Sequence, residues 1–335
     1  MKLVILNCPD THPIESFREM LASAGYETKL AGSDLRQALR NAGLPYVLHW
    51  SDLKHMGYLA PSPAVPEASL EDFYRCDLFA DLKVNGCRKA LETWTHLRDR
   101  VLWYRIQGGE PEITEKGGDE INLPCPVLTA NHWYRGDQRF NKTSYVCWLP
   151  FVREAAYSAP RPTEFFDPVT LLHSVHGWGY GAIVNELRSK LSLRIHGAPS
   201  PDSCLENSQV PALLNRALCY VQLRSNDSPG YALYEAIAAR CPLIVPRRFI
   251  KRMAVEDLFV DRETCLCFDA ADGDCASDLW ADGCIHEIAR NVALLKDPVT
   301  NKVMAERMCR KFREQVWTPM RDANSFREFM QRNFA

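Results

Sequence analysis

The chain has 335 residues, 46% of them hydrophobic, and a formal net charge of −2. That length supplies cores for two domains, and the neutral balance lacks the broad basic footprint of a nucleic-acid binder, although a local basic groove fits within a neutral total. No apolar run approaches the ~20 residues of a membrane span, and the 13 cysteines, odd in number and without a CxxC pair, make a poor disulfide framework.

The first half alternates strands and helices. A short buried-type strand over 3–7 is followed by a helix over 13–24, where Ile14, Phe17, Met20 and Leu21 recur at helical spacing and Gly25 ends the run. A strand over 26–31, a helix over 35–41 and a strand over 46–49 come next. Residues 55–75 are rich in Pro, Ser and Ala and read as an irregular excursion. Strands over 77–84 and 101–106 flank a helix over 87–99. Residues 107–122 carry GGEPE and KGGDE, which is turn chemistry, and strands over 127–130 and 145–149 close this half.

Residues 153–168, REAAYSAPRPTEFFDP, form the linker candidate. A second series follows: strand 170–175, helix 182–189, strand 191–196, helix 210–216, strand 218–223, helix 231–239, strand 243–245 and strand 264–268. Helices over 285–295 and 301–317 and a turn near 325–333 finish the chain. Cys265 and Cys267 lie two apart in a strand, so they share one sheet face, and core packing explains them without a metal. The expectation is free thiols in a reducing, cytoplasmic setting. The opening MKLVILNCPD has too short an apolar core for a signal peptide.

Strands alternating with helices indicate parallel βαβ units. Two such series with a Pro-rich linker predict two facing Rossmann-like domains, in the α/β class. Ligands of such sheets bind beyond the carboxyl ends of the strands, so an inter-domain cleft is the default site.

The most informative stretch is DSPGYALYEAIAARCPLIVP, residues 227–246. A carboxylate near the start of a helix can accept hydrogen bonds from a ribose diol. Asp227 fits that role, and it fits a plain helix N-cap with Ser228 and Pro229 after it. Glu235 lies inside an otherwise apolar helix that precedes a buried strand. A carboxylate there costs free energy unless it is partnered; the alternative is a solvent-facing Glu on an amphipathic helix. The glycines of HSVHGWGYG, 173–181, allow a phosphate to approach backbone N–H groups at a helix start, or make only a tight turn. The basic run PRRFIKRM, 246–253, reads as a solvated helix face or a phosphate contact. The acidic residues Asp272 and Asp274 sit in a turn of small residues, not in a metal pair.

Residues 225–246 resemble the nucleotide-binding segment of the retaining glycosyltransferase family 4, of GT-B fold: an acidic residue, seven residues, a Glu, then Ala and a buried strand beginning near a Pro. Asp227 stands in the first acidic place and Glu235 in the second, with Ala236, Ala239 and Pro242 after them. Asp for Glu is a departure from the pattern. Residues 170–181 are similar to the first strand and glycine-rich turn of the family's second domain, and the resemblance covers roughly 170–317.

The resemblance implies a nucleoside-diphosphate sugar as donor, UDP- or GDP-linked, and no metal requirement. Glu235 would bind the donor ribose. Asp227, Ser228, Gly230 and Tyr231 would contact the donor sugar. The turn with His176, Gly177 and Gly179 would meet the diphosphate, and the loop from His196 and Gly197 to Pro199 would lie near the base. The family's Arg and Lys on that turn have no counterpart between 173 and 187, which leaves His176, Arg224, Arg247, Arg248 or Lys251 to supply the charge. In the N-terminal half, Gln107 occupies the place where relatives carry a sugar-contacting His, and His132 is an alternative contact. Asp10, His12, Gly108 and Trp133 are the acceptor-side candidates, with core packing the competing role for Trp133, Tyr134 and Trp103.

The expected organisation is an acceptor-binding domain over 1–152, a linker over 153–168, a nucleotide-sugar domain over 169–317, and a terminal helix over 318–335 packing back on the first domain. The expected activity is transfer of a sugar to a hydroxyl acceptor, a small molecule or glycan, with retention. The rivals are a bacteriophage-type DNA glycosyltransferase acting on a hydroxymethylated base, a catalytically silent sugar-nucleotide binding module, and a sugar-nucleotide 2-epimerase.

Overall fold

The computed structural model describes residues 2–7, 21–22, 25–31, 33–41, 67–76, 78–81, 100–105, 126–129, 144–146, 157–162, 164–174, 181–198, 209–223, 231–253, 255–269, 282–317 and 323–334. The chain divides into two compact units, Met1–Phe151 with Trp317–Ala335, and Val152–Val316.

The first unit contains seven described strands: β1 (Lys2–Asn7), β2 (Tyr26–Ala31), β3 (Glu67–Ala68), β4 (Leu78–Asp81), β5 (Val101–Arg105), β6 (Val127–Thr129) and β7 (Ser144–Val146). They pair in the order β3-β2-β1-β4-β5-β6-β7, and every pairing is parallel. The order reverses at β1, with β2 on one side and β4 on the other, as in a doubly wound sheet.

The reading of 55–75 as irregular is corrected in its described part. Glu67–Ala68 pairs in parallel with Leu30–Ala31, and Leu70–Arg75 is a helix. The helix starts on a reciprocal cap. The Ser69 hydroxyl accepts the Asp72 N–H at 3.1 Å, and the Asp72 carboxylate accepts the Ser69 N–H at 2.9 Å. That four-residue signature was present in the sequence but was masked by the prolines before it. Asp72 also pairs with Lys29 on β2 at 3.0 Å, which fastens the helix to the sheet. The expected helix over 87–99, the strand over 46–49 and most of the helix over 13–24 lie outside the described residues.

The second unit holds β8 (Val169–Ser174), β9 (Arg194–Ala198), β10 (Tyr220–Val221), β11 (Leu243–Pro246) and β12 (Leu266–Phe268), all parallel, in the order β12-β11-β10-β8-β9. Helices Gly181–Leu191 and Asp282–Leu295 pack together. They bury Leu187, Ile285, Ile288 and Val292 in one cluster with Ile195, Val221, Ile244 and Phe268 of the strands. Leu243 and Val245, which alternate with Ile244, are fully buried too, so both faces of β11 are covered. A strand wrapped on both sides explains why its sequence is continuously apolar. Cys265 and Cys267 place their sulfurs 3.7 Å apart on one face, and both are free buried thiols.

Several expected boundaries move, as where the strand expected over 218–223 shortens to Tyr220–Val221, and two of the shifts have a local cause. Residues 191–193 are not strand: Leu191 ends the preceding helix, and Ser192 at φ 53° turns the chain before β9 begins at Arg194. The helix expected from 301 begins at Pro298, because Asp297 caps it by accepting the Thr300 N–H at 2.9 Å and Pro298 takes the first helical position. It runs to Phe312, and its last segment, Arg313–Trp317, widens to π geometry.

Candidate functional site

The strand order of the second unit reverses between β9 and β10, on either side of β8. Open α/β sheets hold ligands at such a point, in the crevice beyond the carboxyl ends of the two strands. From β8 the chain leads to the helix starting at Gly181, and from β10 to the helix starting at Tyr231. The topology therefore brings two helix starts to one crevice, with residues 175–180 and 224–230 as the intervening connections.

The helix Tyr231–Ala238 is short and almost wholly apolar. Leu233, Tyr234, Ala236 and Ile237 are buried, and it packs against helices Val210–Arg216 and Pro298–Phe312. The Tyr234 ring lies 5.4 Å from that of Phe312. A helix apolar all round is a buried helix. It ends in a complete Schellman arrangement: the Arg240 N–H donates to Ile237 O at 3.0 Å and the Cys241 N–H to Ala236 O at 2.8 Å, with Arg240 at φ 53°.

Glu235 is the exception in this helix. It is half-buried, and its Oε1 accepts the hydroxyl of Tyr157 at 2.9 Å. Burial pushes its carboxyl up to about 7, and the Tyr157 hydrogen bond opposes that shift without cancelling it. Burial, with the Glu235 charge beside it, drives the Tyr157 phenol in turn far above its usual range, so Tyr157 is a fixed donor. Glu235 is therefore neither fully exposed nor isolated: it lies half-buried on the same side as the half-buried Ala232, and its side chain has a named partner.

Tyr157 belongs to the stretch read as linker, and sequence reasoning missed it. No local pattern could identify it, because its partner lies 78 residues away. The same stretch is otherwise anchored. Arg161 donates to Leu214 O at 3.2 Å and Ala217 O at 2.8 Å, and its guanidinium sits 4.4 Å over the Phe165 ring. Phe166 bridges to Ala217.

His196 and Gly197 are strand residues: β9 continues to Ala198, so the loop expected from His196 begins later. His196 is buried. Tyr231 opens its helix, and Arg248 stands half-buried in the first turn of the helix Arg247–Met253. Arg247, one of the cations considered for the diphosphate, is committed elsewhere. It lies 2.8 Å from Asp261, 3.2 Å from Asp269 and 3.3 Å from Glu287. It cross-links the start of its helix to the turn before β12 and to helix Asp282–Leu295. Asp227, Ser228, Gly230, Arg224, His176, Gly177 and Gly179 lie outside the described residues, as do Asp10, His12, Gln107, Gly108, His132 and Trp133. Among the described residues no three His, Cys, Asp or Glu side chains gather into a metal cluster.

Comparison with known proteins agrees with this architecture. Residues 181–326 match a family model described as glycosyl transferase-like. Sucrose-phosphate synthase from Thermosynechococcus elongatus superposes with a TM-score of 0.61 at 11% identity, covering 99% of this chain and 98% of that one. The fold is GT-B, and the chain carries a glycosyltransferase-like domain. An α-glucosyltransferase in complex with UDP-glucose and DNA containing an abasic site gives a TM-score of 0.60 at 11% identity, covering 98% of this chain and 99% of that one. S. aureus TarM, in complex with fondaparinux, α-GlcNAc-glycerol and UDP, gives 0.51 at 12% identity over 77% of this chain. The chain spans 55% of the length of that relative. No curated protein matches by sequence. At these identities the likeness is one of fold. The glycosyltransferase-like domain contains both helix starts at the crevice, and Glu235 within it, but Tyr157 precedes the matched segment.

Proposed function

We propose that the chain is a glycosyltransferase which takes a sugar from a nucleoside-diphosphate sugar and attaches it to a hydroxyl acceptor with retention, in the manner of family 4. The observation that carries the reading is Glu235: a carboxylate held in an apolar helix that starts at the crevice of a glycosyltransferase-like domain. Burying it raises the free energy of its ionised form. A binding role for vicinal ribose hydroxyls accounts for keeping it. The second unit is the donor domain and the first unit the acceptor domain.

In this reading Glu235 accepts hydrogen bonds from the ribose, and the segment 227–231 holds the sugar. Departure of the diphosphate needs positive charge or N–H donors as the glycosidic bond breaks. The helix start at Gly181 supplies N–H donors without a metal, and His176, Arg224, Arg248 and Lys251 are the candidate cations beside Arg247, which already binds three carboxylates. The acceptor oxygen attacks from the face the leaving group departs, and the leaving phosphate takes its proton.

UDP-, GDP- and ADP-sugars offered in a thermal-shift panel will identify the donor by the rise in Tm. Glu235→Ala is expected to reduce nucleotide affinity by at least tenfold. Binding unaffected by this substitution would overturn the assignment. Binding of a sugar nucleotide with no release of its nucleotide in the presence of any acceptor would point to a silent module. The acceptor panel includes duplex DNA with hydroxymethylated bases, because the fold is shared with a glucosyltransferase bound to DNA.

A further inference from the structure

We infer that Tyr157 is a positioning residue of the donor site: through its hydroxyl on Oε1 of Glu235 it aims that carboxylate at the ribose diol. This deepens the proposed function and rests on the ribose role of Glu235. The geometry is specific. Tyr157 is buried, its hydroxyl lies 2.9 Å from Oε1, and it comes from the stretch that precedes β8. That segment is itself pinned by Arg161 and by the bridge from Phe166 to Ala217. The phenol therefore approaches the helix from a fixed direction. A carboxylate has about four lone-pair sites, so one donated hydrogen bond fixes its plane and leaves the second oxygen for a diol.

The chemistry runs one way. A carboxylate accepts from hydroxyls at both oxygens, whereas a protonated carboxyl spends one oxygen as a donor. Burial favours the protonated form of Glu235, and the Tyr157 hydrogen bond opposes it. The charged side chains of the packed helices Val210–Arg216 and Pro298–Phe312 are Arg216, Lys302, Glu306, Arg307, Arg310 and Lys311, all exposed except the half-buried Lys311.

The test uses the full chain with UDP, GDP and ADP and their 2′-deoxy forms, measured by calorimetry from pH 6 to 9. Tyr157→Phe is expected to weaken binding of the preferred nucleotide about tenfold at pH 7. The loss should shrink towards pH 9, and discrimination between the ribo and deoxy forms should fall. In the Glu235→Gln background, adding Tyr157→Phe should change affinity less than twofold. Should the Phe variant fail to fold, 3-fluorotyrosine at position 157 keeps the ring and makes a stronger donor, and it should move the pH midpoint of binding down. A Tyr157→Phe loss that is equal at every pH and persists beside Glu235→Gln would overturn the inference while leaving the ribose role of Glu235 intact, as would a midpoint unmoved by the fluorinated ring. Failure of wild type to bind any of the nucleotides, or equal binding by Glu235→Gln, would instead overturn the donor-site reading and this inference with it.

Discussion

Glu235 shows what one side chain costs and why it stays. Its carboxyl titrates near 7 in the folded chain against about 4.5 when exposed, with burial as the main cause. Between those values the native state holds a proton that the unfolded state has released, so stability falls as pH rises from about 4.5 to 7 and stays lower above that. A displacement of this size corresponds to a penalty on the order of 3 kcal/mol at pH 8. Glu235→Gln removes the charge and keeps the shape. Its Tm is therefore expected to exceed that of wild type at pH 8, with the gap closing towards pH 5, while nucleotide affinity drops. Thermal melts at both pH values check the sign. Arg247 illustrates the opposite use of charge. Its three carboxylate partners make it a brace between a helix, a turn and a strand end, and a basic run in sequence could not reveal that commitment.

At the scale of an element, the helix Tyr231–Ala238 depends on its ends. Arg240 adopts φ 53° to complete the C-terminal cap, a conformation that costs a side chain roughly 1 kcal/mol relative to glycine. The residue is exposed and its side chain is not part of the cap. Arg240→Gly is expected to raise stability by up to about 1 kcal/mol without altering nucleotide binding, measurable as a shift of the urea midpoint at constant slope. The capped starts at Ser69 and Asp297 carry short motifs, Ser-x-x-Asp and Asp-Pro, whose signal is weaker than that of the residues around them. At Ser69 the neighbouring prolines dominated, and at Asp297 the apolar spacing put the start one turn late. Positive-φ residues other than glycine, such as Ser192 and Arg240, carry no such mark.

For the molecule as a whole, the second unit has its own core, running through Ile195, Val221, Ile244, Phe268 and Ile288, and a continuous chain from Val152 to Val316. The first unit is assembled from two stretches, Met1–Phe151 and Trp317–Ala335. A fragment spanning 152–316 is expected to melt cooperatively and to keep nucleotide binding, with sugar transfer lost; calorimetry and a transfer assay on the fragment test this. It includes Tyr157, and a fragment cut at 169 should bind more weakly for that reason. Starting at 169 would also remove Arg161, which holds the carbonyls of Leu214 and Ala217.

Alternating strands and helices, and hence the parallel sheets, can be read from residue order alone, because buried strands must be apolar throughout and helices must repeat at their own period. Residue order also singles out Glu235, since a lone carboxylate in an apolar helix is visible without coordinates. What meets that carboxylate depends on long-range contacts made in the folded chain. Strand order set the crevice by bringing β8 beside β10. Folding of the 153–168 stretch carried Tyr157 to Glu235 and Arg161 to Leu214 and Ala217. Such contacts join residues far apart in the chain, and local periodicity has no term for a partner that arrives from elsewhere.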